Sequence, residues 1–195
     1  MRNLLFPAAL VALVASCTET PRPELHIDAW TSEAGTVCLD FLDGQDASCD
    51  SIHVWLDSIR TSFEEEDPQI SCKAEVVYQN PNYVTYLHEV HTLPSDYYEG
   101  DNSSRCLTFS RATGRVVTVS DLCQNIDSLS QLVLQHTRLE NSWAIDAMGG
   151  DSTLLSLTSD LTVGVTARGY TFSYPVMEGL WQILCTVPSG EMLKQ

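Results

Sequence analysis

The sequence predicts an α+β fold, a mostly antiparallel sheet of hairpins packed by two main helices. Three observations lead there. Runs that alternate apolar and polar residues are joined by Asn, Pro and Gly turns, two segments carry a helical period, and the helical segments sit among several hairpins rather than between single strands. A parallel α/β sheet would need the opposite arrangement, one helix for every strand.

The elements follow in chain order. From Asp50, the residues Ile52, Trp55, Leu56, Ile59 and Phe63 fall at offsets 0, 3, 4, 7 and 11, which line one face of a helix with Asp50 or Ser51 as N-cap. Cys72 to Gln79 alternates like a half-buried strand, and Asn80-Pro81-Asn82 turns the chain into a second strand from Tyr83 to His91. The stretch RCLTFSRATGRVVTVSDLC, Arg105 to Cys123, reads as a further hairpin. Leu107 and Phe109 face inward before Arg111-Ala112-Thr113-Gly114, Val117 and Val119 follow on the return, and Gly114 supplies the positive φ that closes the loop. A second helix of about four turns starts at the N-cap Asp127 and buries Leu129, Leu132, Val133 and Leu139. Beyond Gly149-Gly150, strands return at Leu161–Thr166 and Tyr170–Tyr174, joined by Ala167-Arg168-Gly169. The last strand, Trp181–Val187, alternates Trp181, Ile183, Cys185 and Val187.

The N-terminus sets the compartment. Arg2 precedes an apolar run from Leu4 to Val14, too short to span a bilayer core of roughly 30 Å, and the run closes on Val14-Ala15-Ser16-Cys17. That pattern predicts a lipoprotein signal over residues 1–16, removed before a lipidated Cys17. A polar tether with Pro21 and Pro23 over 17–34 and a single α+β domain over 35–195 complete the division. An exported domain favours disulfides among the remaining cysteines. The candidates are Cys38, Cys49, Cys72, Cys106 and Cys185, with one specific expectation, Cys38 to Cys49, because that pair brackets a loop a crosslink would tie down.

Charge narrows the partners. Without Arg2, nine of the ten Lys and Arg remain against 26 Asp and Glu, a formal charge of −17 that excludes nucleic-acid binding by counterion release. Ten acids lie between Glu33 and Asp67, Glu64, Glu65, Glu66 and Asp67 among them, against the single base Arg60. These four consecutive acids are the candidate contacts for a cationic partner. Residues with catalytic chemistry are not found in a catalytic pattern. His88-Glu89-Val90-His91 lacks the four-residue spacing that lets a helix offer two histidines to zinc, and residues three apart on a strand face opposite ways. Asp40, Asp43, Asp46 and Asp50 surround Gly44 without the spacing of a calcium loop. Ser152 has no nucleophile motif around it, and Cys123 is a weak thiol candidate in an oxidising compartment. No catalytic, cofactor or metal residue is assigned.

The order of the pieces carries a family likeness. Thr113-Gly114-Arg115, then Val119-Ser120-Asp121-Leu122-Cys123, resembles the turn and Asp-Leu-Phe signature of the domain-of-unknown-function family found in RsiV-type anti-sigma factors, beside PdaC-type peptidoglycan deacetylase domains and in Bacteroidetes lipoproteins. Arg168-Gly169-Tyr170-Thr171-Phe172-Ser173-Tyr174-Pro175 is similar to its next strand, and Thr186-Val187-Pro188 with Glu191-Met192-Leu193 to its end, so the resemblance covers residues 72–195. Three departures stand out. Glu99-Gly100-Asp101-Asn102 replaces the family's Gly-Gly-Ala-His, Cys123 replaces its Phe and so reads as a buried free thiol, and the segment from Pro175 to Gly179 is short.

The resemblance implies a non-catalytic envelope domain that binds lysozyme or peptidoglycan. Together with the signal ending at Cys17 and the acidic balance, it predicts a cell-envelope lipoprotein of the outer membrane that binds a cationic lysozyme-like protein or peptidoglycan. An enzyme that modifies cell-wall glycan or peptide and a structural subunit of the outer membrane are the alternatives. Trp55 discriminates between binding and structure: exposed beside the acids it favours binding, and buried it makes its helix core alone.

Overall fold

The structure, a computed structural model, describes residues 22–33, 35–63, 70–92, 101–122, 125–147, 157–177 and 181–192. Strands β1 (His26–Thr31) and β2 (Val37–Asp43) form an antiparallel hairpin, with His26 opposite Asp43 and Thr31 opposite Cys38. Helix α1 (Ala47–Ser62) then carries the chain across one face of the sheet. As a result β3 (Ile70–Gln79) pairs parallel with β2, Val37 opposite Cys72. Strands β4 (Tyr83–Thr92) and β5 (Asp101–Ser110) add antiparallel, giving the order β1-β2-β3-β4-β5. A second sheet of β6 (Val163–Val165), β7 (Gly169–Met177) and β8 (Trp181–Pro188) is wholly antiparallel. Between the sheets in sequence lie α2 (Val119–Leu122), α3 (Ile126–Glu140) and α4 (Ser142–Ala147), and α5 (Ser189–Met192) follows β8.

Strand alternation sorts the side chains into two cores. Leu39, Ala74, Tyr86, Leu107 and Phe109 point from the large sheet toward Ile52, Leu56 and Ile59 of α1. The intervening residues of β4 and β5 point the other way and meet the small sheet. Thr85 Oγ1 donates to the carbonyl of Val165, the amide of Val165 donates to Thr108 Oγ1 at 2.7 Å, and the amide of Cys106 donates to Ser173 Oγ at 3.2 Å. The far face of the small sheet buries Phe172, Cys185 and Val187 against Leu129 and Val133 of α3. Each fully buried Leu or Phe in these cores contributes about 1.5–3 kcal/mol.

The α+β class, the two long helices and the strands from β3 through β5 match the sequence reading. Other expectations are corrected. Helix α1 begins at Ala47 with Asp46 as N-cap, ahead of Asp50. Strand β1 lies inside the stretch read as tether, and Leu25 is buried, so the folded part reaches back to at least Arg22. The return arm after Gly114 is not a strand: Val116 bridges Phe109, Thr118 bridges Thr162, and Val119 opens α2. Thr118 and Val119 are drawn to the second core because Val119 packs with Leu129 and Val163. The cap of α3 is Asn125, whose Oδ1 accepts from the amide of Ser128 at 3.1 Å, and Leu139 is exposed on that helix.

The expected Cys38–Cys49 bridge is not formed, and Cys38, Cys49, Cys72, Cys106 and Cys185 are all free thiols. The pleat explains the first pair. Val37 and Leu39 face α1 and pack in one cluster with Cys49, so Cys38 between them points to the opposite side of the sheet. Cys106 faces Gly164 of the small sheet, and Cys185 donates its thiol to the Val133 carbonyl at 3.5 Å inside the second core.

Candidate functional site

Helix α1 runs across the large sheet from the Arg111–Gly114 turn to β1, and a groove lies beside it. Its first turn lies over the Arg111–Gly114 turn, where a β-carbon on Gly114 would stand 2.5 Å from the Ala47 carbonyl oxygen; the φ of +70° there likewise suits glycine. Its last turn lies over β1, with the Arg60 guanidinium 5.9 Å above the Trp30 ring and paired to Asp57 at 2.9 Å. Along β5 the helix leaves a groove of about 500 Å³ whose apolar wall is Val54, Trp55, Phe109 and Val116, with Asp50 and Ser58 on its polar side. Val54 is 73% exposed, which is unusual for a valine on an otherwise amphipathic helix.

Trp55 belongs to both the core and the groove. Its ring meets Tyr86 at 5.2 Å and His88 at 5.7 Å edge-on and Phe109 at 5.6 Å tilted, and it is half-buried. An aliphatic stem can lie on Val54 and Trp55, and a cationic head at the end of that stem reaches the exposed Asp50.

Behind Trp55 three strands bring Cys72, His88 and Arg105 together. Arg105 Nε donates to His88 Nδ1 at 3.2 Å, so the neutral ring carries its proton on Nε2, which lies 3.4 Å from Cys72 Sγ. The pair resembles a thiol nucleophile with its base, and the electrostatics point the other way. Burial, with the Arg105 charge adding to it, lowers the His88 pKa to about 4, and burial raises the Cys72 thiol to about 11 against the opposing pull of Arg105. An activated cysteine needs the reverse displacement. Near neutrality this is a neutral thiol and a neutral imidazole packed under an indole.

The same geometry fixes an acid response. The folded chain resists a proton on His88 that the unfolded chain accepts at its ordinary pKa of 6.5. Stability from this site is complete above about pH 6.5 and is lost as the pH falls toward 4. His88→Gln should accordingly flatten the drop in urea midpoint between those values, and an undiminished slope would locate the acid sensitivity elsewhere.

The residues singled out from sequence are dispersed. His88 and His91 face opposite sides of β4, His91 meeting Asn102 Oδ1 at 2.7 Å. Asp40 Oδ2 accepts the Val76 amide at 2.9 Å, Asp46 pairs with Arg111, and Asp50 borders the groove. Among the described residues, no three His, Cys, Asp or Glu side chains converge as metal ligands. Cys17, Glu64, Glu65, Glu66, Asp67, Cys123 and Ser152 lie outside the described residues. What sequence reasoning missed is the pairing of Val54 with Trp55 at a groove, for which the only signal was a valine just off the apolar stripe.

Two solved structures are similar over nearly the whole chain. A DUF3298 family protein from Pseudomonas aeruginosa PAO1 is 14% identical, with a TM-score of 0.51 over 90% of this chain and 92% of the other. A DUF3298 family member from Bacteroides fragilis is 11% identical, with a TM-score of 0.53 over 89% and 92%. The chain shares their fold. No protein-family model matches the sequence, and no curated protein is significantly similar to it. The shared fold agrees with the likeness to a domain of unknown function read from the hairpin and its downstream motifs.

Proposed function

We propose that the chain is a non-catalytic cell-envelope lipoprotein, anchored through Cys17 in the outer membrane, whose domain binds a cationic protein of the lysozyme kind. The observation that supports it is the groove beside α1. A half-buried tryptophan, an exposed valine and a carboxylate lie together on the helix that leads into Glu64, Glu65, Glu66 and Asp67. Lysine and arginine fit that combination, because each offers an apolar stem and a charged end. The exposed acids Asp28, Glu33, Asp43, Asp50 and Asp57 add a negative field around it, which speeds encounter with a basic partner. The resemblance to RsiV-type domains supplies the lysozyme class, and the mismatched Cys72 and His88 pKa values favour binding over thiol catalysis.

The test is binding of lysozyme to the chain at low and high salt, with purified peptidoglycan as a second arm. Exposed charges are screened beyond about 8 Å at physiological ionic strength, so affinity should fall steeply with salt. Asp50→Lys should weaken binding roughly tenfold, and reversing Glu64, Glu65, Glu66 and Asp67 to Lys should slow association. Cys17→Ala should release the chain from membranes and leave lysozyme binding intact. Affinity indifferent to salt and to all five reversals would remove the cationic-partner reading, and turnover of a cell-wall substrate would move the chain to the enzyme class.

A further inference from the structure

Strand β1 is the outermost strand of the large sheet, and among the described residues nothing pairs with its far side. Its six residues run against β2 in unbroken register, so the outward row of amides and carbonyls is regular over about 20 Å. Soluble proteins guard such edges with lysine, proline, a bulge or a covering element. His26-Ile27-Asp28-Ala29-Trp30-Thr31 has neither Lys nor Pro, shows no register shift, and is exposed at every residue except the half-buried Trp30. The opposite edge of the sheet is treated differently. There the chain folds back on the end of β5, with Val116 bridged to Phe109, the amide of Ser110 donating to the Arg115 carbonyl and the amide of Val117 to the Thr108 carbonyl.

The charge around β1 indicates what can pair with it. From Pro23 to Ile59 the chain has no Lys or Arg, and Asp28, Glu33 and Asp43 are exposed on or next to the hairpin. Arg60, over Trp30, already has Asp57 as its partner. A second copy of this chain would set two acidic edges side by side, each on a chain of formal charge −16. Like charges on adjacent strands oppose that pairing, whereas alternating Lys or Arg on an added strand favours it.

We propose that β1 is a docking edge for an extended basic segment of the partner, which joins the large sheet as a sixth strand with cationic side chains on the face of Asp28. The choice of occupant rests on the cationic-partner reading, while the open edge does not. Main-chain hydrogen bonds supply the affinity and the acids select the charge.

The probe is an alternating Lys-Val peptide of about ten residues, added to the full chain and followed by amide hydrogen exchange. Expected are slowed exchange at amides within Ile27–Thr31, weakening with salt, and no response to the matching Glu-Val peptide. Two peptide variants, N-methylated on one edge or on the other, remove backbone donors without touching the protein. One of them should bind about tenfold more weakly or worse, because several main-chain hydrogen bonds are lost. Absence of binding, protection at the α1 groove instead of β1, indifference to both methylation patterns, or dimers of the unliganded chain paired through β1 would each overturn the proposal. Lysozyme binding without peptide binding would sink the docking edge and leave the cationic-partner reading standing. Peptide protection at β1 without lysozyme binding would do the reverse.

Discussion

Replacing Arg111 with alanine is expected to cost about 3–5 kcal/mol of folding stability, measured as a fall in urea midpoint at unchanged slope. Arg111 is 2% exposed although it sits in a turn. Its Nε donates to Asp46 at the start of α1, its Nη1 to the Asn80 carbonyl at 3.1 Å, and its Nη2 to the Pro23 carbonyl at 2.7 Å. The backbone amide of the same residue donates to the Asn82 carbonyl at 2.8 Å. One planar fork thus joins the N-terminal segment, the β3–β4 turn and the N-terminus of α1. Alanine strips the partly buried Asp46 carboxylate and the Asn80 and Pro23 carbonyls of their shared donor. Lysine keeps the charge and loses the three-way geometry, so Arg111→Lys should recover only part of the loss. The double variant Arg111→Met with Asp46→Leu should be closer to the parent than Arg111→Ala, since it removes the stranded charge together with its partner. Equal losses for the single and double variants would mean that the ion pair is incidental.

The second large effect is expected at Gly164 in β6. A β-carbon there would overlap Cβ of Cys106 and lie 3.2 Å from its sulfur and 3.3 Å from Thr171 Cβ. Two of those neighbours belong to the backbone-proximal part of packed strands and cannot swing aside. Gly164→Ala should therefore wedge the small sheet away from the large one and cost about 1–3 kcal/mol in thermal unfolding. The bonds from Thr85 and Thr108 to Val165, one residue away, should loosen with it, and faster exchange of the Val165 amide would report that directly. A variant as stable as the parent would show that the sheets are not closely apposed at this point.

Much of this architecture was legible because local pattern and tertiary burial agree. The apolar stripe of α1 and the alternation of β3 and β4 each report one buried face. The failures have physical causes. Strand β1 is exposed on both faces along most of its length, so no alternation could reveal it. Val117 and Val119 are spaced as one face of a returning strand, yet Val116 packs with the α1 core and Val119 with the α3 core, and the chain crosses between two layers where the pattern suggested one strand. The start of α1 was missed because Asp46 spends its carboxylate on Arg111 across the fold, a long-range contact that no local signal announces. The site was less legible than the fold. Trp55 was correctly placed on the apolar face, but its division between core and groove depends on how α1 lies against β5. Cys72, His88 and Arg105 meet only once the register of three strands is known.

Strand β5 is a party wall. Leu107 and Phe109 furnish one core, Cys106 and Thr108 face the sheet that encloses the other, and all four belong to a single continuous run of backbone. Neither half can melt alone without stripping one side of a strand the other half still needs. The two layers are consequently joined in thermodynamic series, so a ligand that stiffens the α1 side also raises the opening free energy of amides beneath α3, far from anything it touches.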